Sequence, residues 1–205
     1  QIKFGDLIKL ALAISAGDAC YGIGDILTGG NHVWNGLDGT ITDFTNLMNL
    51  RADQLGMSRS NFNNPSGRPF STHVSPVLDW VLFARQAMTN PLFRYYAGTR
   101  QWNNIPAFPA TQNGWLVGMQ DSWDPEVDGI KPGGNAISMQ TALWSASNLV
   151  DGRFEAASFG VPTTTYGSPF TDSNAGTGRD LLALARSACD ENLMAPPTTP
   201  DPDPW

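Results

Sequence analysis

Leu7, Ile8, Ala11, Leu12 and Ser15 recur at three- and four-residue intervals with Asp6 ahead of them, so an amphipathic helix opening near Asp6 is predicted at the start of the chain. A second stripe, Phe44, Leu47, Met48 and Leu55, with Gly56 just beyond it, predicts a helix over 42–55. The stretch 61–67 (Asn-Phe-Asn-Asn-Pro-Ser-Gly) has no period and is dense in turn formers, which makes it loop. Ser75 followed by Pro76 opens another helix, carried by Val77, Leu78, Val81, Leu82, Arg85 and Met88 and closed by Thr89-Asn90-Pro91. From 96 to 123 glycine, proline and tryptophan are scattered without period, predicting an irregular connection with one short strand near 115–117.

The last third changes character. Residues 129–131, 139–147 and 153–160 read as short antiparallel strands, separated by a turn at 132–135 and by the Asp-Gly turn of 150–152. Helical spacing returns at Leu181, Leu182, Leu184, Ala185 and Ala188, predicting a helix over 179–192. Five prolines in 196–205 prevent that tail from packing as helix or strand, so the expected organisation is one α+β domain over 1–195 and a proline-rich tail.

Charge narrows the partners. With 12 basic and 19 acidic residues, a net charge of −7 and only three lysines, the 205-residue chain lacks the basic patch that nucleic acid requires. An anionic membrane surface is disfavoured on the same ground. Charged residues are 15% of the chain, with 21 glycines and 15 prolines, a polar, turn-rich balance common in secreted proteins. Lys3, Lys9, the apolar run 10–14 and the small residues 15–17 imitate a signal peptide, but the helical spacing across them favours a packed helix. Cys20 and Cys189 match no metal or redox spacing; a disulfide in an oxidising compartment and two buried thiols explain them equally well.

Bland readings account for most polar candidates. His32 and His73 have no Cys, Asp or Glu at ligand spacing, so no metal is expected. Gly133 and Gly134 open no helix that could hold a phosphate. Asp121, Asp124, Glu126 and Asp128 read as a solvated loop rather than a paired acid and base.

Larger patterns say more. Asp6-Leu7-Ile8, Ile14-Ser15-Ala16-Gly17-Asp18-Ala19, Phe44, Met48-Asn49, Ala52, Leu55-Gly56-Met57 and Phe62-Asn63-Asn64-Pro65-Ser66-Gly67 come first. Ser71-Thr72, the helix 77–88, Pro91-Leu92-Phe93 and Val127-Asp128-Gly129-Ile130-Lys131-Pro132-Gly133 follow in order. Together they resemble the serine D-Ala-D-Ala carboxypeptidases, the low-molecular-mass penicillin-binding proteins, from Asp6 to about residue 193. The resemblance implies a β-lactamase-like fold of a helical region and an antiparallel sheet flanked by a C-terminal helix, with the N-terminal part of the fold absent from this chain. It implies no cofactor, a peptidoglycan stem peptide or β-lactam as ligand, and an extracellular, periplasmic or cell-envelope location.

That family surrounds its cleft with a Ser-x-x-Lys helix, a Ser-x-Asn turn and a Lys-Thr-Gly strand. Ser15-Ala16-Gly17 resembles the second and Lys131-Pro132-Gly133 the third. By that resemblance Ser15 is the catalytic candidate, relaying a proton towards the leaving group. Lys131 and Gly133 are the substrate-binding candidates, with Lys131 facing the substrate's terminal carboxylate. The departures are specific: Gly17 replaces the amide side chain, Pro132 replaces the threonine, and no serine stands three residues before any lysine. Either another segment supplies the nucleophile, or the scaffold is a catalytically degenerate structural or interaction module. Both readings predict no acyl adduct from a penicillin, and both predict a partner segment or subunit completing the sheet. Ser15 capping the helix that follows it, and Lys131 as a surface lysine on an edge strand, are the structural alternatives.

Overall fold

The computed structural model describes residues 2–29, 42–108, 110–122, 124–135, 139–148, 152–161 and 171–190; the side chains of 122, 135, 148, 171–176 and 188–190 are outside the description. His32, residues 150 and 151 of the expected Asp-Gly turn and the tail 196–205 lie outside the described residues, while Gly152 opens β5. In chain order the elements are α1 (Phe4–Ile14), α2 (Gly17–Leu27), α3 (Thr42–Gln54), α4 (Val77–Ala87), α5 (Pro91–Ala97), β1 (Gln101–Trp102), β2 (Thr111–Gln112), α6 (Gly114–Ser122), β3 (Val127–Asn135), β4 (Met139–Asn148), β5 (Gly152–Val161) and α7 (Thr171–Asp190).

The main sheet is antiparallel in the order β3-β4-β5. Both faces are covered, and strand alternation sorts the residues between them. Ala142, Trp144 and Ala146 of β4 and Phe154 and Ala156 of β5 pack with Trp115, Leu116 and Met119 of α6 and Leu182 of α7. On the other face, Leu143, Ala157 and Ile130 meet Ala84 and Met88 beside α4 and Ala97 of α5. Trp144 is fully buried, and truncating a core tryptophan to alanine costs roughly 3–5 kcal/mol. α7 lies so close that a Cβ at Gly178 would stand 2.5 Å from the Trp144 ring.

Several boundaries move. Residues 115–117 are not a strand: they lie in α6, where Asn113 Oδ1 accepts from the Leu116 amide at 3.3 Å and Trp115, Leu116 and Met119 share one buried face. The aromatic and β-branched content of that stretch points to strand, and tertiary burial overrides it. Pro91 begins α5 rather than merely closing α4, because Asn90 Oδ1 accepts from Leu92 N and Phe93 N at 2.9 and 3.2 Å. Asp6 does not open α1; Lys3 precedes the first turn, and the buried Asp6 carboxylate accepts from Lys9 Nζ at 2.7 Å. The predicted turn 132–135 is the continuation of β3, registered from Pro132↔Ala142 to Asn135↔Met139.

The acidic cluster is not a loop without partners: Arg153 of β5, Arg186 of α7 and Arg100 just ahead of β1 pair with it, although Asp121 stays more than half exposed. Arg100 pairs with Asp121 at 2.8 Å, Arg186 with Asp124 at 2.9 Å and Glu126 at 2.7 Å, and Arg153 with Asp128 at 2.7 Å. The Arg186 pairs fasten α7 to the entrance of β3, and Asp124 is only 7% exposed there. Sequence distance hides such pairs: Arg186 lies 62 residues from Asp124.

Candidate functional site

Helices α1 and α2 meet at a sharp corner formed by Ser15 and Ala16. Ser15 closes α1 in the left-handed region, φ 56° and ψ 38°, and the Ala16 amide donates back to Leu10 O at 3.2 Å. Leu10, Ala19, Trp102 and Ile105 are buried together behind the corner, so packing fixes it. Ser15 does not cap α2: Ala16 holds that position, and no side chain caps the helix. The Ser15 hydroxyl is instead exposed to the opposing strand.

That strand is β3, and the group it presents is Lys131. Its ammonium donates to Ser15 Oγ, and also to Pro132 O at 2.5 Å. Lys131 lies on the edge strand opposite Leu143 of β4, and its side chain meets the α1–α2 corner at Ser15. It is therefore not a free edge lysine. Burial lowers its pKa to about 8, opposed by the facing Cys20. Cys20, a free half-buried thiol on α2, is raised by burial and lowered by Lys131 in return. With Cys20 free, the disulfide alternative is not realised; the Cys189 side chain lies outside the described residues.

Gly133 is two residues beyond Lys131 and so belongs to the same face of β3. A Cβ there would stand 3.1 Å from Thr141 Oγ1, a crowding that suits glycine and leaves the strand backbone open beside the lysine. Pro132 between them is buried and contributes no N–H.

The third wall is the loop that follows α3. A Cβ built on Gly17 would lie 3.4 Å from Ser66 Cβ, which brings the loop against the Ser15 corner. Its shape comes from asparagines. Asn64 Oδ1 accepts from Ser66 N, Ser66 Oγ and Arg68 N, each at 3.1 Å, while its Nδ2 donates to Arg68 O at 2.9 Å. Asn49 on α3 brackets Phe62, accepting from its amide at 2.7 Å and donating to its carbonyl at 2.9 Å. His73 Nδ1 accepts from Asn63 N at 3.1 Å, and burial lowers the histidine's pKa. Among the described residues no group of three His, Cys, Asp or Glu could hold a metal.

The structure thus brings together Ser15 and Lys131, places Gly133 on the same strand face, and adds Cys20, Ser66 and the Asn64 loop. Cys20 carried a signal in its spacing, since residues 17 and 20 share one side of a helix. Nothing local in the sequence marked Ser66 as a neighbour of Gly17.

No protein-family model matches the chain. Over 131 residues it is 28% identical to the D-alanyl-D-alanine carboxypeptidase DacF of Bacillus subtilis, a stretch covering 62% of this chain and 32% of that protein. The structure of the D-alanyl-D-alanine carboxypeptidase DacD from Francisella tularensis superposes with a TM-score of 0.70 at 19% identity, over 91% of this chain and 52% of that one. Penicillin-binding protein D2 from Listeria monocytogenes, in its ampicillin-bound form, gives 0.63 at 19% identity, over 90% of this chain and 67% of that one. The chain has the α+β fold of the D,D-peptidases and penicillin-binding proteins, and it spans about a third of the length of the curated relative.

Proposed function

We propose that this chain carries the substrate-binding side of a D-alanyl-D-alanine carboxypeptidase-like protein of peptidoglycan metabolism, and that it recognises the D-Ala-D-Ala end of a stem peptide. The contact between Lys131 Nζ and Ser15 Oγ carries this reading, because it joins the two motifs that the resemblance to this family singles out. In this reading the Lys131 ammonium attracts the terminal carboxylate, the open strand at Gly133 lies beside the peptide, and Ser15 relays a proton. The chain contains no Ser-x-x-Lys, so turnover in the family's manner draws its nucleophile from another segment or polypeptide. A β-lactam, which imitates the same ligand, is the expected alternative occupant. The assignment places the protein outside the cytoplasm or in the cell envelope. Among the described residues no helix is long and apolar enough to cross a membrane.

Gly17 and Pro132 favour a second reading, a non-catalytic module of the envelope, since each lacks a ligand-binding group that the family motif supplies. A partner segment or subunit pairing with the outer edge of β5 belongs to both readings; among the described residues β5 pairs with β4 alone.

Equilibrium binding of an N-acylated D-Ala-D-Ala dipeptide tests the proposal. Saturable binding that weakens when the terminal carboxylate is converted to the amide, and in Lys131→Met, is the expected result. Equal binding of acid and amide would overturn it.

A further inference from the structure

The loop that brings Ser66 against Gly17 is fastened by a histidine. Its ends are tied by Asn61 and Val74, whose amides donate to each other's carbonyls at 2.7 and 3.0 Å. Just inside that tie the Asn63 amide donates to His73 Nδ1 at 3.1 Å, and Asn64 Nδ2 lies 3.5 Å from the same nitrogen. A backbone amide can only donate, so Nδ1 is unprotonated and the neutral ring carries its proton on Nε2. The ring meets Phe62 edge-on with centroids 5.7 Å apart, and Phe62 is buried with Ala52 and Met57. Asn64 in turn holds Ser66 and Arg68, while residues 67–72 at the tip are exposed. The loop therefore has a firm base on α3 and a tip whose inner anchor is one uncharged imidazole.

We infer that His73 is an acid-sensitive latch: a proton gained at Nδ1 turns the acceptor into a donor aimed at the Asn63 amide, so that the loop opens and the wall Ser66 forms against Gly17 is withdrawn. The latch is a property of the fold, and its use in gating a ligand rests on the reading of this cleft as the D-Ala-D-Ala pocket. Burial lowers the histidine's pKa in the closed loop, whereas a ring released to water takes the ordinary value near 6.5. Above about 6.5 both forms are neutral and pH does not act on the loop. Below it the open form binds a proton that the closed form excludes. Opening then becomes easier by up to about tenfold per pH unit, until the closed-state value is reached. The charged groups of the surrounding elements are Arg59, whose amide donates to Asp79 of α4 at 3.1 Å, Asp79 itself, and Arg68. None of them shifts His73, whose depression comes from burial alone.

Hydrogen exchange of the full chain between pH 7.5 and 5.5, resolved at the Asn63 amide and corrected for the intrinsic rate, tests the latch. Protection there should hold constant above about pH 7 and fall about three- to tenfold by pH 5.5, with no such fall at the Leu143 amide of β4. His73→Asn sets an amide oxygen that does not titrate beside the Asn63 amide, so the variant should lose the pH dependence. Asp79 is intact in that variant, which separates the two groups. Protection independent of pH in the parent, or the same fall in His73→Asn, would overturn the latch. If the variant fails to fold, the NMR titration of His73 in the unaltered chain decides, and a midpoint at or above 6.5 refutes the proposal. An N-acylated D-Ala-D-Ala dipeptide at ten times its dissociation constant should raise Asn63 protection about tenfold at pH 7.5 if it binds the closed loop. A pH-dependent latch that ignores the dipeptide defeats the pocket reading and leaves the latch standing. A dipeptide response on a loop indifferent to pH does the reverse.

Discussion

Lys131 reaches across 116 residues of sequence to hydrogen-bond Ser15, and this contact joins β3 to the corner between α1 and α2. It sets a stability cost against a chemical use, because an ammonium partly withdrawn from water is disfavoured unless its contacts compensate.

Replacing Lys131 by methionine should therefore stabilise the fold near neutral pH while impairing the site. The folded pKa is depressed to about 8, whereas the unfolded lysine keeps its ordinary value near 10.4. Below about 8 both states are protonated and the burial penalty is fully present. Between the two values the unfolded chain binds more protons, so the native protein gains stability as pH rises. The variant should exceed the parent by about 1–3 kcal/mol at pH 7, after allowing for lost hydrogen bonds, with the gap closing by about pH 10.5. Urea unfolding at the two pH values checks this, and a gap that widens with pH would refute it.

Gly178 sets two ordinary rules against each other. Alanine in a helix interior is normally favoured over glycine by about 1 kcal/mol. A Cβ at Gly178, however, would approach the fully buried Trp144 ring to 2.5 Å. Overpacking should win, and Gly178→Ala should lose about 1–3 kcal/mol. Denaturant midpoints decide, and an unchanged or raised midpoint would mean that α7 is free to shift.

The outer edge of β5 makes a prediction about association. Among the described residues it pairs on one side only, and Phe159 near its end is 37% exposed. Unpaired strand edges invite addition of another strand. The purified 205-residue chain should therefore self-associate or require a partner. Sedimentation as a monomer that unfolds cooperatively would show that the sheet is complete without one.

The three strands of the main sheet were legible because β4 and β5 alternate between two buried faces with an Asp-Gly break between them. The extension of β3 through Pro132 and Gly133 was hidden, since edge-strand pairing tolerates turn formers that a central strand would reject. Ser15, Lys131 and Gly133 were legible one by one from a resemblance. The resemblance implies one shared cleft for them, but the contact of Lys131 with Ser15 was not legible, because it depends on the left-handed corner after α1 and on the packing of Leu10, Ala19 and Trp102 behind it. The carboxylate cluster misled for the same reason: its arginine partners lie on β5, on α7 and ahead of β1.

Gly17 offers the most direct test of whether this cleft retains its ligand. The position sits beside Ser15 and faces Ser66, and the family motif places an amide side chain there. A Cβ would meet Ser66 Cβ at 3.4 Å, an ordinary contact, and no positive φ is recorded for this glycine, so asparagine should be tolerated. Replacing glycine by asparagine in the first turn of α2 also lowers the conformational entropy of the unfolded chain, which offsets any local crowding. The new amide would add a donor and an acceptor to a pocket whose polar contacts otherwise centre on Lys131. One hydrogen bond to a bound peptide is worth about 0.5–1.5 kcal/mol net. Gly17→Asn should therefore tighten binding of an N-acylated D-Ala-D-Ala dipeptide by roughly 2- to 12-fold, with the unfolding midpoint nearly unchanged. Titration calorimetry on the variant and its parent provides the comparison. If the variant folds as well as the parent and binds no tighter, the Ser15–Lys131 corner is not where the peptide lies, and the proposed function loses its site.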